Sequence, residues 1–294
     1  MFIRRLPQFE YHAPATIEEA LRFLSQHGAR SKLLAGGTDL LVSMKKRTTT
    51  PVHLVNLKGI GELRSIDYDA RQGLRIGSLA TIGDIGRSQV IREKFTALWD
   101  AADVMAAPQV RNLGTIGGNL CSAVPSADTA PPLIAMGASV RLLGSKGERI
   151  LPVEKLFQGP GQSILEPDEI LMEVRIPDPP EKSAGAYLKL MRRNAMDLAL
   201  VGVAVFLRMS VDKGRCEEAR IALGAVAPTP IRSVGAERVL AGKGIDEDSA
   251  SMAGEAAAAE ARPITDVRAT EEYRRTMVGV LTKRATLEAF KRIR

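Results

Sequence analysis

The chain of 294 residues is 45% hydrophobic and 26% charged, an ordinary globular composition long enough for two or three core-bearing units; disorder and fibrous repeats are excluded. A formal net charge of +7 would suit nucleic acid, but aromatic residues make up only 4% and the basic ones are scattered. No nucleic-acid partner is therefore expected, and the excess is read as a solvated surface of the kind that faces acidic partner subunits.

Thr16 and Glu19 have the spacing of a capping box, and Ala20, Leu21 and Leu24 continue it as an apolar stripe that ends at Gly28, which predicts a short first helix. Residues 32–35 predict a buried strand running into a glycine turn, 39–44 the helix behind it, 45–50 a loop and 52–56 a second strand. Together these make a first α/β unit over residues 1–55. Residues 73–79 alternate as a strand does, Thr81 with Asp84 marks a helix start, and one long amphipathic segment is expected to run through Trp99 to Met105. Residues 138–143 and 148–151 predict a hairpin turning at Gly144 and Gly147, and 169–176 closes a second unit over 56–177, with 177–180 as a proline-rich linker.

The third unit, 178–294, predicts strands at 187–191, 198–209 and 219–224, with 212–214 as the antiparallel turn between the last two. The apolar run 198–207 is about half of the ~20 residues that a bilayer span needs, so it reads as a core strand and no transmembrane segment is expected. Helices follow at 233–240, 247–261 and 271–291, the last capped by Thr270. Strands first and helices after predict an antiparallel sheet covered on one face, and an α+β fold class overall.

Several function classes find no support. His12, His27 and His53 stand apart in the sequence, fit no metal spacing and read as surface or loop residues, so no metal ligands are assigned. Cys121 and Cys216 are distant and form no Cys-x-x-Cys, which leaves no ligand set for an iron–sulfur cluster or zinc, and a reducing, cytoplasmic location is the default. Residues 1–8 contain Arg4 and Arg5 without an apolar stretch, so no secretory signal is expected. No nucleophile–base pair is legible, no catalytic residue is assigned, and no Gly-x-Gly-x-x-Gly sits in a βαβ unit, which disfavours a Rossmann dehydrogenase.

Two diglycine loops carry the functional signal. The first reads Leu33-Leu34-Ala35-Gly36-Gly37-Thr38-Asp39-Leu40, and the second Thr115-Ile116-Gly117-Gly118-Asn119. Glycine pairs flanked by hydroxyls let backbone N–H groups approach an anion with no Cβ in the way, and two such loops could close on one dinucleotide diphosphate from both sides. Asp128 follows in a proline-rich loop, where its carboxylate either accepts from sugar hydroxyls or simply caps a turn. Asp39, in the first turn of a predicted helix, is best read as capping that helix.

The two loops, with Asp128, resemble the FAD-binding medium subunit of the molybdenum hydroxylases, a family that includes the flavin subunits of carbon monoxide dehydrogenase, bacterial xanthine dehydrogenase and 4-hydroxybenzoyl-CoA reductase. The likeness runs from Phe9 to Arg275. It implies a PCMH or vanillyl-alcohol-oxidase type fold, two α/β subdomains enclosing FAD and a C-terminal α+β domain covering the ring. It further implies an electron-transfer subunit of a molybdenum-containing oxidoreductase. The molybdenum cofactor would sit in a large partner subunit and the [2Fe-2S] clusters in a small one, in a dimer of heterotrimers. By the same resemblance, Asp128 binds the flavin's sugar hydroxyls, and Lys189, next to a matching Arg192, Arg193 and Asp197, approaches the isoalloxazine carbonyls. Leu198 packs on the ring or, equally, in the sheet; Leu171 contacts adenine or is plain core; Met105 stands where some members carry an aromatic residue. Two departures matter. The cluster-bearing version of the family needs four inserted cysteines that are not present here, and many members have serine or histidine where this chain has Thr38 and Asp39. A self-contained FAD oxidase of the same fold is the alternative.

Overall fold

Thr16 caps the first helix as its spacing requires: its hydroxyl accepts the Glu19 N–H at 3.2 Å, while the Glu19 carboxylate takes the N–H of Ala15. The computed structural model in which this is seen describes residues 5–193, 195–212 and 214–293. The first unit consists of β1 (Glu10–His12), α1 (Ile17–His27), β2 (Ser31–Leu34), α2 (Leu40–Lys46) and β3 (His53–Asn56), with its strands parallel in the order β1-β3-β2. The apolar stripe of α1 (Ile17, Ala20, Leu24) is buried on Val55 and on Leu63, Leu79 and Met172 of the next unit.

That second unit contains β4 (Ile66–Asp69), β5 (Gly73–Gly77), α3 (Ile82–Arg87), α4 (Gln89–Lys94), α5 (Thr96–Val104), α6 (Pro108–Arg111), α7 (Ile116–Cys121) and α8 (Ala130–Ala135). The hairpin β6 (Ser139–Gly144) and β7 (Gly147–Pro152), the small pair β8 (Phe157–Gly159) and β9 (Gln162–Ser163), and β10 (Ile170–Ile176) complete it. Its main sheet is antiparallel throughout, in the order β4-β5-β10-β6-β7, so the last strand in sequence is central in space. The single long helix expected through Met105 is instead three short ones. Ser88 and Phe95 leave helical geometry, and the chain folds back so that Phe95 is fully buried and the Trp99 indole N–H donates to the Gly86 carbonyl at 3.0 Å.

The third unit is β11 (Ser183–Leu190), β12 (Val201–Met209), β13 (Cys216–Gly224), β14 (Ile231–Arg232), α9 (Val234–Leu240), α10 (Glu247–Glu260) and α11 (Glu271–Arg292), an antiparallel sheet followed by helices. The predicted turn at 212–214 includes Lys213, which lies outside the described residues; β12 and β13 pair antiparallel on either side of it. Two expectations are corrected. β12 begins at Val201 rather than 198, and the sheet is covered on both faces. Val201, Val203, Val205 and Leu207 pack under α10 and α11, whereas Ala204, Phe206 and Tyr187 pack into the core of the second unit. A strand buried on both sides reads as a continuous apolar run, and for that reason the pattern did not distinguish one covered face from two.

The α+β class stands, with helices and sheets segregated along most of the chain. Among the described residues no helix is long and apolar enough to cross a membrane. The three histidines are not dispersed. Because β1 and β3 are neighbours and α1 crosses them, His12 and His27 lie against Phe23, with ring centroids 4.1 and 4.5 Å away, and His27 lies 4.5 Å from His53. Spacing along the chain concealed this convergence.

Candidate functional site

β2 delivers the first diglycine loop. Leu33 and Leu34 pair with Val55 and Asn56, Leu34 is buried, and the chain then turns through Ala35, Gly36, Gly37, Thr38 and Asp39 into α2, with Gly37 at φ +77°. A side chain at that φ is strained, which is why the turn needs glycine. Among the described residues, the N–H groups of Gly36, Gly37, Thr38, Asp39 and Leu40 meet no protein acceptor; the first intrahelical bond runs from Leu41 to the Gly37 carbonyl at 3.0 Å. These five consecutive amides lie in a partly exposed turn that leads into a helix N-terminus, and so are open to an anion or to water.

The second loop is built differently. Thr115 caps α7, its hydroxyl accepting the Gly118 N–H at 3.0 Å. The Ile116 N–H donates to the Ala80 carbonyl, the Gly117 N–H to that of Ser78 and the Asn119 N–H to that of Thr115. Gly117 lacks a Cβ for a packing reason: one built there would lie 2.7 Å from the Ser78 Cβ and 2.7 Å from its carbonyl oxygen. The expectation that this pair offers its amides to an anion is therefore revised, because the protein itself takes them.

The two loops do meet. A Cβ on Gly36 would collide with the Leu113 carbonyl, and one on Gly114 would lie 3.7 Å from the Thr38 hydroxyl. The Ser122 hydroxyl at the end of α7 donates to Asp39 Oδ2 at 3.0 Å, clasping the loops together. This corrects the reading of Asp39 as a helix cap. Its backbone is helical (φ −96°, ψ −46°), so its side chain cannot fold back onto the first-turn amides, and no capping bond forms.

Asn119 connects α7 to the third wall, its Oδ1 accepting the Thr129 hydroxyl at 2.6 Å. Next to Thr129, the Asp128 carboxylate is buried and accepts from Lys189 Nζ at 2.8 Å and from the Tyr187 hydroxyl at 2.9 Å. Lys189 does not face solvent: its side chain is 1% exposed. Burial pushes the Asp128 carboxyl above its ordinary range, against the opposing pull of the Lys189 ammonium, and burial beside Asp128 pushes the Tyr187 phenol up as well. Such a pair is held in a low dielectric, where an approaching polar ligand competes for strong, well-directed donors and acceptors.

The remaining candidates separate. Leu171, in β10, is 4% exposed and shares the core with Ile116, Leu120 and Met105, which favours its core reading. Leu198 precedes β12 and is 53% exposed, which removes the core reading and leaves an apolar side chain open to a ligand. Tyr187, Ser122, Thr129 and Ser78 escaped the sequence analysis. Tyr187 was accessible to it, because the period of two in a strand puts Tyr187 and Lys189 on one face; the other three act through distant contacts that leave no local mark.

Comparison with known proteins bears directly on this geometry. The family profile described as the FAD binding domain in molybdopterin dehydrogenase matches residues 7–179, and that of the CO dehydrogenase flavoprotein C-terminal domain matches residues 186–289. The chain is 37% identical to the carbon monoxide dehydrogenase medium chain of Hydrogenophaga pseudoflava, over 97% of this chain and 98% of that one. It is 34% identical to a putative xanthine dehydrogenase FAD-binding subunit of Escherichia coli K12, over 95% of both. Its fold superposes on a chain of the solved Hydrogenophaga pseudoflava carbon monoxide dehydrogenase with a TM-score of 0.94, at 38% identity, covering 99% of this chain and 100% of that one.

Proposed function

The chain belongs to the family of FAD-binding flavoprotein subunits of molybdopterin dehydrogenases, and from that premise we propose that it is the electron-relaying flavin subunit of a molybdenum-containing hydroxylase. Its partners are a large molybdopterin-binding subunit and a small [2Fe-2S] subunit, in a cytoplasmic dimer of heterotrimers. When bound here, FAD supplies the ring through which electrons from those clusters pass to an external acceptor. Residues 1–55 and 56–177 enclose the cofactor and 178–294 cover it.

The observation that carries this reading is the run of unpaired amides from Gly36 to Leu40, pinned against residues 113–114. These amides and the Thr38 hydroxyl hold the diphosphate. Thr115, Ile116, Gly117, Gly118 and Asn119 form the opposite wall, Asn119 being held there by the Thr129 hydroxyl on its amide oxygen. Asp128 accepts from sugar hydroxyls. Lys189 keeps a buried positive charge beside it, which favours negative charge on a reduced ring. Leu198 covers the ring and restricts water, while Leu171 supports the second loop from beneath.

The test is the absorbance spectrum of the purified chain, mass analysis of what heat releases from it, and a pull-down against candidate large and small subunits. Flavin absorbance, the mass of FAD and co-purification of both subunits are the expected results. A chain that stays colourless and does not bind FAD at saturation overturns the proposal. Reduction of the flavin by a small organic substrate without partners would instead support the self-contained oxidase.

A further inference from the structure

The end of the first sheet opposite the glycine loop carries a donor set for which the flavin reading has no use. Along β1 the period of two puts Glu10 and His12 on one face, and the parallel register sets Glu10 beside His53 of β3. Their donor atoms converge. His53 Nδ1 is 3.2 Å from Glu10 Oε2 and 3.4 Å from His12 Nε2, and His12 Nε2 is 3.8 Å from the same carboxylate oxygen. Ligands at 2.0–2.1 Å from one ion with tetrahedral angles stand roughly 3.3 Å apart, so these separations match one face of a tetrahedron. Two imidazoles with one carboxylate suit zinc, copper or nickel better than magnesium or calcium, which prefer oxygen.

We propose that Glu10, His12 and His53 bind one divalent transition-metal ion of the zinc class, with water in the fourth position. His53 is almost fully buried and fixed in the sheet, whereas Glu10 is largely exposed, so an ion enters from the solvent side onto a prepared imidazole. Behind the donors, His27 of α1 lies 4.5 Å from His53, and its buried Nδ1 has no hydrogen-bond partner among the described residues. His53 pairs with Ser31, at the start of β2, while the diglycine loop follows Leu34 at its end. The ion therefore lies apart from the flavin loops, where it links β1 to β3 and keeps an open, water-bearing position.

The test uses the untagged full chain, treated with chelator and then titrated with Zn²⁺ by calorimetry and with Co²⁺ as a spectroscopic probe. One equivalent of Zn²⁺ per chain, a thermal midpoint that rises with Zn²⁺, and the visible bands of four-coordinate cobalt are expected. His12→Gln and Glu10→Gln alter the outer, solvent-facing donors and should each weaken Zn²⁺ binding at least about tenfold, because even outer-shell partners are worth that much. Both variants should keep the far-ultraviolet dichroism and flavin content of the parent, which separates this result from any failure of the flavin reading. Absence of stoichiometric binding, or a parent-like affinity in both variants, overturns the proposal.

Discussion

The N–H groups from Gly36 to Leu40 have no acceptor among the described residues, whereas those of Ile116, Gly117 and Gly118 are taken by Ala80, Ser78 and Thr115. The two diglycine loops are nearly interchangeable as sequence, yet one leaves its donors open and the other spends them on its own packing. Glycine is required in both for different reasons: a left-handed backbone at Gly37, and close approach of Ser78 at Gly117. A glycine pair therefore marks a place where a Cβ does not fit, and what occupies the space, ligand or protein, is a separate question.

Substitution at the two loops should separate these roles. Gly117→Val places a branched side chain against the Ser78 backbone, where forced overpacking costs about 1–3 kcal/mol or more. The expected outcome is a lowered thermal midpoint, with or without added FAD. Gly37→Ala should cost about 1–2 kcal/mol for its left-handed backbone, keep a cooperative transition, and release flavin more readily in equilibrium dialysis. A Gly117→Val chain that melts like the parent and has merely lost its flavin would erase the distinction.

The third wall provides a sharper measurement. Asp128→Asn leaves the buried Lys189 ammonium without its counter-charge, which should cost about 3–5 kcal/mol in denaturant unfolding. Adding Lys189→Met should restore most of that stability; on the proposed placement of Lys189 beside the flavin ring, the reduction potential should fall as well. If the double variant is no more stable than Asp128→Asn, the pair is not the source of the cost.

The smallest effect concerns the clasp between the loops. Ser122→Ala removes one exposed hydrogen bond to Asp39, worth about 0.5 kcal/mol, so the thermal midpoint should hardly move and FAD affinity should fall about twofold. A loss much greater than this would mean that Asp39 itself contacts the ligand.

Asp128 and Lys189 became candidates through the family resemblance; the amino-acid order alone was enough for the α+β class, the helix starts at Thr16 and Thr81, the hairpin at Gly144 and Gly147, and both glycine loops. These are local features, decided by a few neighbouring residues through caps, turns and periodicity. Tertiary structure decided which glycine amides stay free, that Asp39 clasps Ser122 rather than capping α2, that Lys189 is buried against Asp128, and that three separated histidines converge on Phe23. Each of these depends on a partner many residues away, brought near by the parallel register of β1 and β3 or by the packing of β11 on the second unit. Local sequence specifies which groups a segment offers, but burial and hydrogen-bond satisfaction are set by whatever the fold lays against them, and that information is held jointly by distant parts of the chain.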